Sequence, residues 1–191
     1  MRYRPEHKAE VHQNIVKDAS RRVRAEGLTG VAVAAVMRDN GLTHGGFYKH
    51  FPDKDELILE SLQEAFREIT DVLTHAAKRA KSEEPWKTIV KTYLSVEYCE
   101  HAERGCPLPT LAPELARVKN PMKGRVVAEL LKYKERMVPF MPGRRVSDRE
   151  RAFFVIFSTM TGAIEIARLL PNRDAQEKVL ASVREHLLRS F

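Results

Sequence analysis

Residues 33–51 read VAAVMRDNGLTHGGFYKHF, and this stretch decides the fold of the first quarter of the chain. It predicts a short helix over 33–39, a turn at Asn40 and Gly41, and a second short helix over 44–50, which is the helix-turn-helix pattern. Glycine at position 41 permits the tight turn between the helices. Thr43 is predicted to cap the second helix with its hydroxyl, near the positive end of the helix dipole, a position that also suits a phosphate.

The second short helix divides into an inner and an outer face. Phe47 and Phe51 stand four positions apart and are expected to pack beneath it. Gly45 and Gly46 keep the helix surface low, so that the backbone can approach a duplex closely. The other side chains carry imidazole, hydroxyl and ammonium groups, which suit phosphate and base-edge contacts. These outward groups are His44, Tyr48, Lys49 and His50, and Lys54 follows in position for a further phosphate.

Helical spacing of apolar residues continues through the rest of the chain. Predicted helices cover residues 6–26, 53–81, 85–101, 109–118, 120–138, 148–169 and 174–189. Asp53 with Glu56, and Ser147 with Glu150, have the spacing of helix-capping pairs. The predicted fold is all-α, with a three-helix helix-turn-helix domain over residues 1–53 and a larger helical body over 54–191.

Composition and charge narrow the class of protein. The chain has 191 residues, of which 43% are hydrophobic and 31% charged, so it is expected to form a packed core. No run approaches about 18 apolar residues, and the first residues lack an apolar run behind their charges, so neither a membrane span nor a signal peptide is expected. Two cysteines cannot build a disulfide scaffold, which favours a cytoplasmic location. The net charge is +7, and residues 1–54 hold ten Lys and Arg against six Asp and Glu, so this segment is the candidate footprint for a polyanion.

The segment GLTHGGFYKHFPDKDELI at 41–58 resembles the recognition-helix signature of TetR/AcrR-type transcriptional repressors. The resemblance implies an all-helical homodimer whose N-terminal domains contact two half-sites of a palindromic double-stranded operator. It also implies that the body, residues 54–191, binds a small-molecule inducer and forms the dimer. No cofactor is predicted. Ala32 departs from the family pattern, because a Ser or Thr usually caps the first short helix there and contacts a phosphate. By matched position the DNA contacts are Thr43, Tyr48, Lys49 and Lys54, with His44 and His50 as additions.

Two groups of residues in the body suit a ligand pocket. Tyr93, Glu97 and His101 stand four positions apart and form a stripe on one predicted helix, a pattern that also fits a half-buried amphipathic edge. The second group lies on the penultimate helix and equally suits the core or a subunit contact. The candidate pocket residues are Tyr93, Glu97, Cys106, Phe157, Met160 and Thr161.

Cys99, His101 and Cys106 have the spacing C-x-H-x4-C, which matches no common zinc pattern, so no metal site is predicted. Cys106 follows Arg104 and Gly105 in a predicted loop, where a nearby cation would lower the thiol pKa and create a redox-sensitive group. The alternative is a small apolar cysteine in the core.

The aromatic run at 153–157 is too broad for one narrow helical stripe. Gly162 and Ala163 on the same helix would let another helix come close. The pattern predicts a homodimer in which the last two helices of each subunit form a four-helix contact, and complete burial within one subunit is the alternative.

No enzyme signature is present: the chain lacks a G-x-S-x-G elbow, a P-loop and a dinucleotide fingerprint. The sequence therefore predicts a DNA-binding regulator and no enzyme. Two alternatives stay open, namely a helical enzyme or ligand carrier with an incidental basic N-terminus, and a helical hairpin that binds nothing.

Overall fold

The fold is all-α, as predicted. The computed structural model describes residues 5–80 and 83–191, and within these ranges it contains nine α-helices, four 3-10 helices and no β-strand. None of the helices in this part of the chain combines the length and the hydropathy that a membrane span requires. The α-helices are α1 (Pro5–Glu26), α2 (Val33–Asp39), α3 (Lys54–Arg79), α4 (Pro85–Tyr93), α5 (Val96–Glu100), α6 (Leu108–Leu115), α7 (Met122–Met137), α8 (Val146–Arg168) and α9 (Arg173–Ser190).

The N-terminal unit packs around its own hydrophobic core. This core gathers buried side chains from α1, α2, the segment His44–Lys49 and the first turns of α3. Two helices of the body also contribute to it, through Leu111 and Leu115 of α6 and Val126 of α7. The domain boundary after residue 53 stays a prediction, and the shared core shows that the N-terminal unit rests directly on α6 and α7.

Helix α3 connects the N-terminal unit to the body. It has 26 residues, which corresponds to about 39 Å. The Asp53 carboxylate accepts a hydrogen bond from the backbone N–H of Glu56 at 2.8 Å, as the capping pair predicts. The helix contributes Leu57 to the N-terminal core and Leu73 to the core of the body, so the two cores lie along one rigid element. The predicted end of this helix at Lys81, and Ser82 after it, lie outside the described residues.

The prediction of a single helix over 85–101 is wrong, because the helix ends at Tyr93 and a second helix begins at Val96. Leu94 leaves the helical conformation, and Ser95 starts α5 by accepting a hydrogen bond on its hydroxyl from the Tyr98 backbone N–H at 3.2 Å. Serine competes for backbone donors in this way and therefore favours helix starts over helix interiors.

The start of α8 also differs from the prediction. The Asp148 carboxylate accepts from the Arg145 backbone N–H at 3.2 Å, so Arg145 occupies the N-cap position. Ser147 and Glu150 do not form the predicted capping box, because α8 begins one residue before Ser147. Glu150 instead pairs with Lys134 of α7 at 2.7 Å.

The aromatic run of α8 is shared between the core and the surface. Phe153, Ile156 and Phe157 are buried within one subunit, whereas Phe154 is 55% exposed. The outer face of the same helix continues in exposed apolar side chains, ending at Leu169, which is 80% exposed. Burial within the subunit thus accounts for three of these four residues, and the remaining apolar face still lacks a partner in the single chain.

Candidate nucleic-acid interface

The segment His44–Lys49 lies on the surface of the N-terminal unit and is held from beneath by two aromatic rings. Phe47 and Phe51 are 2% and 1% exposed, and their rings stack with centroids 5.4 Å apart. His12 of α1 stacks on Phe51 at 4.5 Å. The predicted inner face is confirmed, and the two buried rings fix the orientation of the rest of the segment.

The short helix that the sequence predicts over 44–50 is present as a 3-10 helix over His44–Lys49. The Thr43 hydroxyl makes no capping bond, and it is the Thr43 carbonyl that closes the turn by accepting from the Gly46 backbone N–H at 2.9 Å. The tighter winding of a 3-10 helix places this carbonyl within reach three residues on. Thr43 therefore keeps an exposed hydroxyl that is free to bond outside the chain.

The turn before the segment requires its glycine. Gly41 has φ +70°, a left-handed conformation that favours glycine, as the sequence predicts. A Cβ atom at Gly45 would meet no heavy atom within 4 Å. The surface at Gly45 is therefore open to close approach by another molecule.

The outward residues are exposed where the sequence predicts them, with one exception. Tyr48 is 68% exposed, and its ring packs edge-on against Phe47 at 5.3 Å, which aims the hydroxyl away from the core. His44, Lys49 and Lys54 are also exposed. Within the described residues no carboxylate forms an ion pair with Lys49 or Lys54, so both ammonium groups are available to an anion.

His50 is the exception, because its ring is half-buried against α1. The Nδ1 atom is buried without a hydrogen-bond partner, and the ring lies 6.1 Å from that of His12. Burial lowers the pKa of His50, and the neighbouring charges of His12, Lys8 and Lys49 lower it further. His50 therefore does not point outward like its neighbours, and its contact with DNA stays a prediction.

Two polar contacts hold α1 against its neighbours, one to α2 and one to α3. Arg22 donates to Asp18 at 2.9 Å and also pairs with Asp39 at the end of α2. The hydrogen bond from Arg22 lowers the pKa of the Asp39 carboxyl. On the other side, His12 bonds to Glu60 of α3 at 2.6 Å. These contacts fix the position of α1 beneath the exposed segment.

A cleft of about 540 Å³ lies beside the segment. Its lining includes Thr43, Lys49 and His50 together with Lys8 from the first turn of α1. Lys8 has no ion-pair partner among the described residues. The sequence indicates a basic N-terminal segment but does not single out Lys8, because only the folded arrangement of α1 places it on the same cleft as Lys49.

Of the six candidate pocket residues, Tyr93, Cys106, Phe157 and Met160 lie together in the core of the body. Glu97 stands apart from them. Tyr93 and Thr161 do meet, with their hydroxyl oxygens 3.4 Å apart, and the Phe157 ring lies 6.1 Å from that of Tyr93. Met160 is fully buried in the core of the body, and Glu97 is exposed on α5. The predicted stripe of Tyr93, Glu97 and His101 is wrong, because the break after Tyr93 separates these residues.

Cys106 is buried, and burial raises its thiol pKa to about 11. The predicted lowering of this pKa is wrong, since loss of hydration outweighs the attraction of nearby Arg24 and Arg168. Cys99 is also buried, both thiols are free, and burial raises the pKa of Cys99. The alternative of cysteines that fill the core fits these two residues.

The geometry defines an all-helical protein in which a small helix-turn-helix unit is joined through one long helix to a larger helical body. Comparison with solved structures identifies this fold. A TetR-family transcriptional regulator from Cytophaga hutchinsonii is 18% identical, with a TM-score of 0.76 and 98% of each chain covered. A TetR transcriptional regulator from Chloroflexus aurantiacus is 21% identical, with a TM-score of 0.75 and 96% of this chain and 97% of that chain covered. A TetR-family regulator from Streptomyces coelicolor is 22% identical, with a TM-score of 0.71, and the match covers 95% of this chain and 96% of that one.

The chain therefore has the fold of TetR-family regulators along nearly its whole length. No family model matches the sequence, and no curated protein matches it.

Proposed function

We propose that the chain is a ligand-responsive DNA-binding transcriptional regulator, a repressor that a small-molecule inducer releases from a palindromic operator. The observation that carries the proposal is the exposed segment His44–Lys49, anchored by Phe47 and Phe51 and carrying Tyr48 and the unpaired Lys49. The structures that share the fold are described as transcriptional regulators, which supports a regulator over an enzyme.

The exposed residues suit the two kinds of contact that a DNA-binding protein makes. Lys8, Lys49 and Lys54 offer ammonium groups that can neutralise phosphates, and the Thr43 hydroxyl offers a further phosphate contact. Tyr48 and His44 offer hydroxyl and imidazole groups that can reach base edges in the major groove. Open space at Gly45 allows the backbone itself to approach the duplex.

A homodimer would present two such segments to successive major grooves, roughly 34–36 Å apart. The unpartnered apolar face of α8, from Phe154 to Leu169, supports a contact between the last two helices of each subunit. Gly162 lies on this face with open space around its Cβ position, which lets a partner helix come close. Such an isologous contact is the commonest arrangement of homo-oligomers.

A chain of polar contacts between the body and α1 supports the ligand response. Arg168 of α8 donates to the Thr110 hydroxyl of α6 at 3.1 Å, and that hydroxyl donates to the Arg24 carbonyl of α1 at 2.7 Å. Glu114 of α6 accepts from the Leu28 backbone N–H at 3.1 Å. A ligand that shifts α6 or α8 would therefore move α1, and it would release DNA in proportion to its differential affinity for the two conformations.

The test is a gel-shift assay at moderate salt with the DNA that flanks the protein's own gene and a scrambled duplex of equal length as competitor. The dimer should give a shift that the scrambled duplex does not compete away. Tyr48→Ala should abolish this specific shift without changing the circular dichroism spectrum, and Lys178→Ala, an exposed lysine on α9, serves as the control. A folded dimer that gives no specific shift would favour a ligand carrier or a helical enzyme instead.

A further inference from the structure

His50 stands between two clefts on the surface of the N-terminal unit. The first is the cleft of about 540 Å³ between α1 and the segment His44–Lys49. The second, of about 400 Å³, runs along α1 past His12. Lys8 and His50 line both clefts, so the two adjoin each other at these residues.

The surface of the two clefts is positively charged. Their lining, within the part of the chain that the structure describes, holds two lysines and two histidines and no aspartate or glutamate. Lys8 and Lys49 are exposed, and no described carboxylate forms an ion pair with either. Glu60 reaches this region from α3, but it is bonded to His12 at 2.6 Å. Positive charge without a carboxylate to balance it favours an anion in the first cleft.

The His50 ring can meet such an anion through one of its nitrogens. Its Nδ1 atom is buried and has no hydrogen-bond partner. The ring lies against those of His12 and Phe51, with centroids 6.1 and 6.4 Å away. Because Nδ1 is enclosed, Nε2 is the nitrogen that can donate to a ligand in the cleft.

Burial and three neighbouring basic groups disfavour the charged form of His50 in the free chain. Burial lowers the pKa of His50, and repulsion from His12, Lys8 and Lys49 lowers it further. These are the charged or titratable groups that face the ring from α1 and from its own segment, and Glu60 of α3 faces His12 instead. An anion between Lys8 and Lys49 would offset two of the three repulsions and would attract the charged ring. Binding of an anion therefore favours uptake of a proton by His50.

We propose that the first cleft receives one backbone phosphate of a DNA duplex, that Lys8, Lys49 and His50 bind it together, and that His50 takes up a proton from the solvent as it does so. The inference rests on the proposed function in that its partner is DNA, but it holds for any duplex, because phosphates carry no sequence information. Release of the duplex returns the proton to the solvent, so DNA affinity and protonation of His50 are linked.

The linkage fixes the sign of the pH dependence. The pKa of His50 lies below its ordinary value in the free chain and should be higher in the complex. Affinity for DNA should therefore rise as the pH falls through the pKa of the complex, and it should level off below the pKa of the free chain.

The experiment measures the affinity of the full chain for short duplexes by fluorescence anisotropy between pH 7.5 and 5.5 at constant ionic strength. One duplex is the DNA that flanks the protein's own gene, and the other is a scrambled sequence of equal length. Affinity for both should rise as the pH falls, and the rise should be at least about fivefold larger in the unmodified chain than in His50→Gln. His75→Gln changes an exposed histidine on α3 that lines neither cleft, so it should retain the full rise.

Lys8→Ala tests whether the cleft holds a phosphate. This change should lower the slope of log affinity against log salt by about one unit for both duplexes. Lys17→Ala is the matched control, because Lys17 is an exposed lysine on the same helix that lines neither cleft. It should leave the slope unchanged.

NMR of the histidine rings gives a measurement that needs no substitution in the protein under test. The spectrum of His50→Gln identifies the His50 resonance by its absence. The pKa of His50 in the unmodified chain should rise when either duplex is added, whereas the resonance of His75 should titrate alike with and without DNA.

Three results would overturn the inference: a rise in affinity that His50→Gln retains, a salt slope that Lys8→Ala leaves unchanged, or a pKa of His50 that DNA does not raise. Failure of the inference is distinguishable from failure of the proposed function. A sequence-specific gel shift with an affinity independent of pH would support the regulator and reject the inference. Equal binding of both duplexes with the expected dependence on His50 would support the inference and reject recognition of an operator.

Discussion

Arg24 provides the sharpest test of how the N-terminal unit is fastened to the body. Its side chain is 1% exposed, and the guanidinium donates to Glu68 of α3 at 2.6 Å, to the Gly105 carbonyl at 3.3 Å and to the Ser20 carbonyl at 3.1 Å. These bonds join α1 to α3 and to the segment before α6. Arg24→Met removes the charge and the three bonds while retaining an apolar side chain of similar length.

Breaking a buried ion pair by removing one partner costs about 3–5 kcal/mol, because the other charge is left unpaired. Glu68 keeps 31% of its side chain exposed and can regain water, so we expect a smaller loss, about 2–3 kcal/mol in the free energy of unfolding. At roughly 2–4 °C per kcal/mol for a chain of this size, the melting temperature should fall by about 4–12 °C.

Thermal and urea unfolding followed by circular dichroism measure this loss. Arg21→Met, an exposed arginine on the same helix, should stay within about 0.5 kcal/mol of the unmodified chain. Combining Arg24→Met with Glu68→Gln should show a coupling energy of about 1–2 kcal/mol. If Arg24→Met behaves like Arg21→Met, or if the coupling is absent, the Arg24 side chain does not fasten α1 to α3 and to the segment before α6.

Three further outcomes are expected. Gly45→Leu should change the free energy of unfolding by no more than about 0.5 kcal/mol, since its Cβ enters open space. The same change should weaken operator binding at least about tenfold in an anisotropy titration. Unchanged affinity would contradict a close approach of the backbone to the duplex. Because the pKa of His50 lies below its ordinary value of 6.5, the unfolded chain takes up the proton first, so stability present above pH 6.5 should be lost as the pH falls towards the lowered pKa. His50→Gln should flatten the fall in melting temperature between pH 7.5 and 5.5, and an equal fall in both proteins would refute the assignment. The Cys106 thiol is buried and has a pKa of about 11, so it should react with iodoacetamide at pH 8 far more slowly in the native chain than in urea. Mass spectrometry of the labelled peptide measures the two rates. Equal rates would mean that the thiol is accessible.

Features that depend on nearby residues could be predicted from the sequence. The inward pair Phe47 and Phe51, the turn at Gly41 and the cap at Asp53 each follow from a spacing of four residues or fewer, and the structure has all three. Prediction from nearby residues fails where one residue suits two local conformations. Ser95 could continue a helix or start one, and in the structure its hydroxyl caps the start of α5.

The remaining errors concern contacts between residues far apart in the chain. The burial of His50 depends on His12, 38 positions earlier. Arg24, which no spacing singles out, is buried against Glu68 and Gly105. The environment of Cys106 is set in the same way, by Tyr93 and two distant arginines. The spacing of residues within one segment does not reveal contacts with distant segments. The exposed face of His44–Lys49 could therefore be predicted better than the interior of the body.

In the proposed complex Lys49 meets a phosphate, while the rings of Phe47 and Phe51 beneath it hold the segment in place. The most direct measurement is the salt dependence of operator affinity for Lys49→Ala, with Lys178→Ala as the control. The slope of log affinity against log salt should fall by about one unit for Lys49→Ala, with sequence preference retained, and should not change for Lys178→Ala. A Lys49→Ala protein with the unmodified slope and affinity would contradict it.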